Sequence, residues 1–139
     1  MKIRQIETIS RKGRNTDIEE KTAWYIVGFV DGEGSFNVSL RRKTDYKLGW
    51  QVVLSFNVSQ KDRTMLDLMK QFFNCGIIKQ RKCDNLFSYD VTNPKEIWER
   101  VVPFFSKHPF ISETKKKNYS IFYQIVEMMI NKQHLNKDG

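Results

Sequence analysis

The chain has 139 residues, 40% of them hydrophobic and 13% aromatic, enough for one domain with its own core and too apolar for a disordered chain. It carries 24 Lys and Arg against 16 Asp and Glu, a net charge of +8 that points to a polyanionic partner. No apolar run reaches the length of a membrane span, and the longest is broken by Asp31 and Glu33. The two cysteines, Cys75 and Cys83, form no Cys-x-x-Cys pair, and neither His108 nor His134 stands at ligand spacing from them. That argues against structural zinc and for two free thiols in a reducing compartment.

The first fourteen residues hold five Lys or Arg, at positions 2, 4, 11, 12 and 14, and one acid. Residues 1–16 are therefore expected to form a basic arm that lies on phosphates, with a short organellar targeting segment as the alternative. Thr16-Asp17-Ile18-Glu19 has the form of a helix-capping box, and Glu20 to Val30 follows as a helix. The second half of that helix is apolar all round, so it is expected to be buried on several sides, with a partner subunit as one candidate cover in so small a domain. Gly34 is expected to end the helix and Ser35 to open a strand.

From Phe36 to Lys43 the residues alternate, with Asn37, Ser39 and Arg41 on one face and Val38 and Leu40 on the other. Thr44 to Gly49 is the turn. The next strand puts Val52, Leu54, Phe56 and Val58 on one face and Gln51, Ser55 and Asn57 opposite, with Val53 as the exception. A second helix begins at Asp62 or Thr64, carries an apolar stripe of Met65, Leu68, Met69 and Phe72, and stops at Gly76. Ile77 to Lys82 and Leu86 to Thr92 form a second hairpin. Asn93-Pro94 starts a third helix with proline at its first position and an inward stripe of Ile97, Trp98, Val101 and Phe105. A loop from Ser106 to Lys116 leads to a last helix, with Tyr119, Phe122, Val126, Met129 and Ile130 inward. The order is α-β-β-α-β-β-α-α, without internal repeats. The fold class is α+β: helices cover one face of an antiparallel sheet and leave the other, rich in Asn, Ser, Arg, Gln and Lys, open to water.

One string carries more than fold. Trp24 to Phe36, WYIVGFVDGEGSF, resembles the LAGLIDADG homing endonucleases. Ile26-Val27-Gly28-Phe29-Val30-Asp31-Gly32-Glu33-Gly34 fits the nine-residue motif position by position, with conservative apolar swaps. The element order that follows matches one domain of that family, so the resemblance spans about residues 17–139, a single endonuclease domain. Gly28 and Gly32 lie four apart on one helical face, where small residues let two helices approach closely.

The resemblance implies that this helix packs against its twin in a homodimer, with Ala23, Val27, Gly28 and Asp31 at the interface. Asp31 itself is also expected to bond at the helix end. The two copies of Glu33 then meet on the axis, where their paired charge calls for divalent cations. Hard oxygen ligands beside phosphate suit Mg²⁺, shared at the dimer axis, with the Gly32 carbonyl as a second ligand. Gln60 matches a family residue that orders water near the scissile phosphate. Lys115 matches the family's active-site lysine, with Lys116 and Lys117 leaving that register open by one. The strand face becomes a saddle for double-stranded DNA. Asn37, Ser39, Arg41, Lys43, Gln51, Ser55, Asn57, Lys79, Arg81, Ser88 and Asp90 then point to bases, since a two-stranded ribbon fits the major groove.

The implied activity is metal-dependent, site-specific double-strand DNA cleavage at a long near-palindromic site, by an intracellular protein that works where its DNA is, in a prokaryotic cytoplasm or an organelle. Two alternatives stay open. One is a non-cleaving nucleic-acid-binding protein on the same fold, such as an intron-splicing maturase or a regulator. The other is a small interaction domain with a basic surface. There is one copy of the motif, so the chain is either a homodimer subunit or half of a two-motif protein. The ending HLNKDG is abrupt, which leaves C-terminal truncation as an expectation.

Overall fold

The computed structural model describes residues 7–42 and 49–138. Helix α1 (Glu7–Glu33) leads directly into β1 (Gly34–Arg42). Then follow β2 (Trp50–Gln60), α2 (Thr64–Phe73), β3 (Ile77–Gln80) and β4 (Phe87–Val91). A bent helical segment comprises α3 (Pro94–Glu96), a π-helical turn (Ile97–Val101) and α4 (Val102–Lys107), and α5 (Glu113–Asp138) closes the described chain. The element order is the expected one. None of the described helices is long and apolar enough to cross a membrane.

The four strands form one antiparallel sheet in the order β1-β2-β4-β3, so the two hairpins meet at β2 and β4. Leu54, Phe56 and Val58 of β2 and Tyr89 and Val91 of β4 face the helices and are buried. Against them pack Ile26 and Val30 of α1, Leu66, Met69 and Phe73 of α2, Phe105 of α4, and Phe122 and Val126 of α5. Each such side chain, removed from water, contributes roughly 1.5–3 kcal/mol. Phe36 of β1 stacks on Phe56 at 5.2 Å between centroids and meets Phe105, Phe110, Tyr119 and Phe122 edge-on or tilted. These ring contacts fasten α5 to the strand that follows the motif.

Several boundaries differ from expectation. α1 begins at Glu7, upstream of the Thr16 capping box. From Glu7 to Thr16 the sequence has no proline and one glycine, so nothing there terminates a helix. The boundary expected at residue 16 falls inside α1, and residues 1–6 lie outside the described residues. On α2 the buried stripe is Leu66, Met69 and Phe73, while Leu68 and Phe72 are exposed. The helix stops two residues before Gly76, at Asn74, whose φ of 57° ends it in the left-handed conformation. Gly76 itself has φ 91°, and a Cβ there would sit 2.6 Å from the Tyr89 ring, so glycine is required.

The expected Asn93 cap is present: its side chain accepts the N–H groups of Lys95 (2.9 Å) and Glu96 (3.2 Å). The π turn precedes Pro103, which has no N–H to give to the carbonyl four residues back. The expected loop from Ser106 to Lys116 shrinks to residues 108–112, because Ser112 caps α5 through Oγ, which accepts the Lys115 N–H at 3.2 Å.

Candidate functional site

α1 passes into β1 with no loop between them. At the crossing only glycine fits: a Cβ on Gly34 would lie 2.6 Å from Val30 Cγ1 and 3.0 Å from the Val30 carbonyl oxygen. The helix therefore ends abruptly with Glu33 as its last residue. Glu33 is exposed, and its carboxylate has no hydrogen-bond or ion-pair partner among the described residues. Gly32 is exposed beside it, with nothing within 4 Å of the place a Cβ would take. Asp31 turns the other way, and its Oδ2 accepts the N–H groups of Ile111 (3.2 Å) and Ser112 (3.1 Å).

Lys115 reaches this crossing from α5. It is half-buried, and its ammonium donates to the Gly34 carbonyl oxygen. Its neighbours do not compete: Lys116 turns to Glu113 at 3.6 Å, and Lys117 is exposed. Gln60 ends β2 two residues beyond Val58, the partner of Gly34, so it stands at the same end of the sheet. Its Oε1 accepts the Lys61 N–H at 3.0 Å, leaving the amide nitrogen without a partner among the described residues. Thus one end of the sheet gathers a free carboxylate, a lysine ammonium and an amide donor. Among the described residues no group of three or more His, Cys, Asp or Glu could hold a metal ion. One chain supplies a single carboxylate there.

Strand register puts the expected recognition residues on one face. Asn37 pairs with Ser55, Ser39 with Val53, and Arg41 with Gln51. Asn57 pairs with Asp90, which pairs with Ile77, and Ser88 pairs with Lys79. Ser35 and Ser59 share this face and were missed, although their parity in the strands would have found them. Lys43 lies outside the described residues. From Asn37 to Arg42 both faces of β1 are open, so Val38 and Leu40, expected to be inward, are exposed, Leu40 by 65%. The strand there runs beyond the helices.

The polar side chains on this face are largely paired with one another. Arg41 Nη2 donates to Gln51 Oε1 (2.6 Å), Asn57 Nδ2 to Ser55 Oγ (3.1 Å) and Ser88 Oγ to Asp90 Oδ1 (3.0 Å). Lys79 Nζ stands 3.9 Å from Asp90 Oδ2, an ion pair too long for a hydrogen bond. Arg81 bridges Asp84 (2.5 Å) and Ser59 (3.0 Å), and the Asp84 bond and charge raise its pKa further. In the free protein Arg81 therefore ties the β3–β4 turn to β2 on this face.

The expected interface on α1 needs correction. Ala23 (3% exposed) and Val27 (4%) are buried inside their own chain. They follow Ile26 and Val30 towards the core, because a helix this close to the sheet must turn its apolar stripe inward. The outward face instead carries Trp24 (49%), Tyr25 (64%), Gly28 and Gly32. A Cβ on Gly28 would meet nothing within 4 Å in this chain.

The family model for LAGLIDADG endonucleases matches residues 26–126, from the motif through most of α5. The chain belongs to the LAGLIDADG endonuclease family. A relative from Neurospora crassa, described as a probable intron-encoded endonuclease, is 32% identical over 118 residues, which is 83% of this chain and 26% of that protein. A structure of I-SmaMI bound to uncleaved DNA with calcium ions superposes with a TM-score of 0.74 at 39% identity, covering 81% of this chain and 39% of that one. The structure of the homing endonuclease I-TnaI gives a TM-score of 0.74 at 33% identity, covering 84% of this chain and 78% of that one. The chain thus spans about a quarter of the length of the intron-encoded fungal relatives it matches. The α+β architecture, with one helical layer on an antiparallel sheet, is the architecture of this family.

Proposed function

We propose that this chain is one half of a site-specific double-strand DNA endonuclease whose other half is a second copy packed against α1. The observation that carries the reading is the Lys115–Gly34 bond. It brings a lysine ammonium from α5 to the residue that follows the free Glu33 carboxylate, at the end of the sheet where Gln60 also stands. The polar strand face and the +8 charge support a duplex as the partner, and intron-encoded relatives support a site of action where such DNA is found, in an organelle or a prokaryotic cytoplasm.

Glu33 and the Gly32 carbonyl fit a hard divalent cation: the carboxylate is exposed and unpaired, and a lone carboxylate per chain is what a site shared by two chains needs. A bound Mg²⁺ would stabilise charge on the attacking and leaving oxygens of the phosphodiester. The chain's own groups do the rest. Lys115 places a fixed positive charge beside the phosphate that gains charge in the transition state. The free amide nitrogen of Gln60 donates to a water or phosphate oxygen and holds it in line. The sheet face fixes the register of the duplex over these groups.

Incubating the protein with plasmids carrying a library of candidate sites, with and without Mg²⁺, tests the reading. Paired cuts at one site, only with Mg²⁺, are expected. Specific binding without cuts would favour the maturase or regulator, and no binding would favour the interaction domain. Affinity should also fall steeply with salt, by about 10³–10⁵-fold between roughly 50 and 200 mM if six to ten phosphates are contacted. A flat titration by fluorescence anisotropy would show that the basic surface is not engaged.

A further inference from the structure

We infer that Asp31 is a positioning residue for Lys115, acting across the fold as the missing half of the α5 cap. The inference rests on the endonuclease reading for its effect on cleavage, but its geometry stands independently. Ser112 caps α5 and bonds the Lys115 N–H at the third helical position. In a reciprocal capping box that third residue is Glu or Gln, whose side chain reaches back to the cap's own N–H. Here it is lysine, which has no acceptor and points its ammonium to Gly34. The acceptor comes from α1 instead. Asp31 Oδ2 takes the Ser112 N–H at 3.1 Å and the preceding Ile111 N–H at 3.2 Å.

The arrangement closes a ring through three elements, α1, α5 and β1. Asp31 and Gly34 lie three residues apart at the end of α1 and the start of β1. From Asp31 the path runs to Ser112, along the first turn of α5 to Lys115, and back to Gly34. Asp31 therefore sets where α5 begins relative to the foot that carries Glu33. A carboxylate also complements the positive end of α5. Asp31 Oδ1 is buried and has no hydrogen-bond partner among the described residues, so the carboxylate is held through Oδ2 alone.

Four proteins carry the test: wild type, Asp31→Ala, Lys115→Ala and the double variant, each measured for DNA affinity and single-turnover cleavage, with amide hydrogen exchange by NMR in parallel. Asp31→Ala should speed exchange at Ile111 and Ser112. It should slow cleavage by about a hundredfold, the loss expected when a reacting group is misplaced by about 1 Å, with affinity within threefold or so of wild type. The double variant should cut no more slowly than Lys115→Ala alone, because Asp31 then has nothing left to position. Asp31→Asn keeps one uncharged acceptor oxygen, so both its exchange and its rate should fall between those of the parents; it carries the test if Asp31→Ala fails to fold. Unchanged protection at Ile111 and Ser112, or losses that multiply in the double variant, would overturn the proposal. If Asp31→Ala speeds exchange at Ile111 and Ser112 but wild type never cuts DNA, the cap stands and the endonuclease reading falls.

Discussion

Glu33→Gln is expected to abolish Mg²⁺-dependent cleavage, by on the order of 10³-fold or more, while the same duplex is bound as tightly as by wild type. The physical basis is the proposed division of labour between the strand face and the helix foot. Glu33 is exposed and bonds to nothing among the described residues, so removing its charge breaks no contact that holds the fold. The polar strand face, proposed to supply affinity, lies on β1 to β4, away from the last residue of α1. In the proposed dimer two carboxylates would sit near phosphates, and each like-charge pair at about 4 Å costs about 1 kcal/mol even in water. Deleting them should therefore leave affinity unchanged or slightly tighter. Ca²⁺ should support binding by wild type without efficient cutting, because its looser coordination orients the attacking water poorly. Binding and single-turnover cleavage are measured on one duplex. Comparable cutting by Glu33→Gln means that the carboxylate is not the metal's ligand. A variant that folds but no longer binds means that Glu33 belongs to recognition.

How much of this was legible in the sequence depended on whether the deciding contact was local. Strand alternation in β2 identified its buried residues, since a period of two leaves one face for the core. The motif located the helix foot, and the Asn93-Pro94 pair located a cap, because both are written in adjacent residues. Faces of helices were harder. On α2 the sequence offers apolar residues at 65, 66, 68, 69, 72 and 73, so two overlapping stripes fit the period, and only the position of the sheet selects Leu66, Met69 and Phe73. The same ambiguity placed Ala23 and Val27 on the wrong side of α1. Partners distant in sequence were not legible at all. Nothing near Asp31 announces Ile111 and Ser112, and nothing near Lys115 separates it from Lys116, until the fold brings Gly34 within reach. Arg81 has the parity of a base-reading arginine, and the fold adds what parity does not show, its bonds to Asp84 and Ser59 in the free protein.

Gly28→Leu should convert a dimer into a monomer without harming the fold of either copy. In its own chain a Cβ at Gly28 meets nothing within 4 Å, so a leucine side chain has open space there. Leucine also favours the helix over glycine by about 0.5–1 kcal/mol, so the isolated chain should be no less stable than wild type. A second helix approaching backbone to backbone leaves no such space. Four carbons would then separate the two helices at the point where small residues permit contact, and Tyr25 and Trp24 on the same outward face would lose their cover. Cleavage should be lost with the dimer, because on the proposed reading each monomer brings one Glu33 carboxylate to a site that would need two. Sedimentation equilibrium gives the mass, and circular dichroism gives the helix content and melting temperature. A monomeric mass with native helix content is the expected pair. If wild type is itself a monomer at micromolar concentration, with and without DNA, a second copy is not the partner of this helix face. If Gly28→Leu still sediments as a dimer, the two copies meet elsewhere and Glu33 is not brought to its twin along α1.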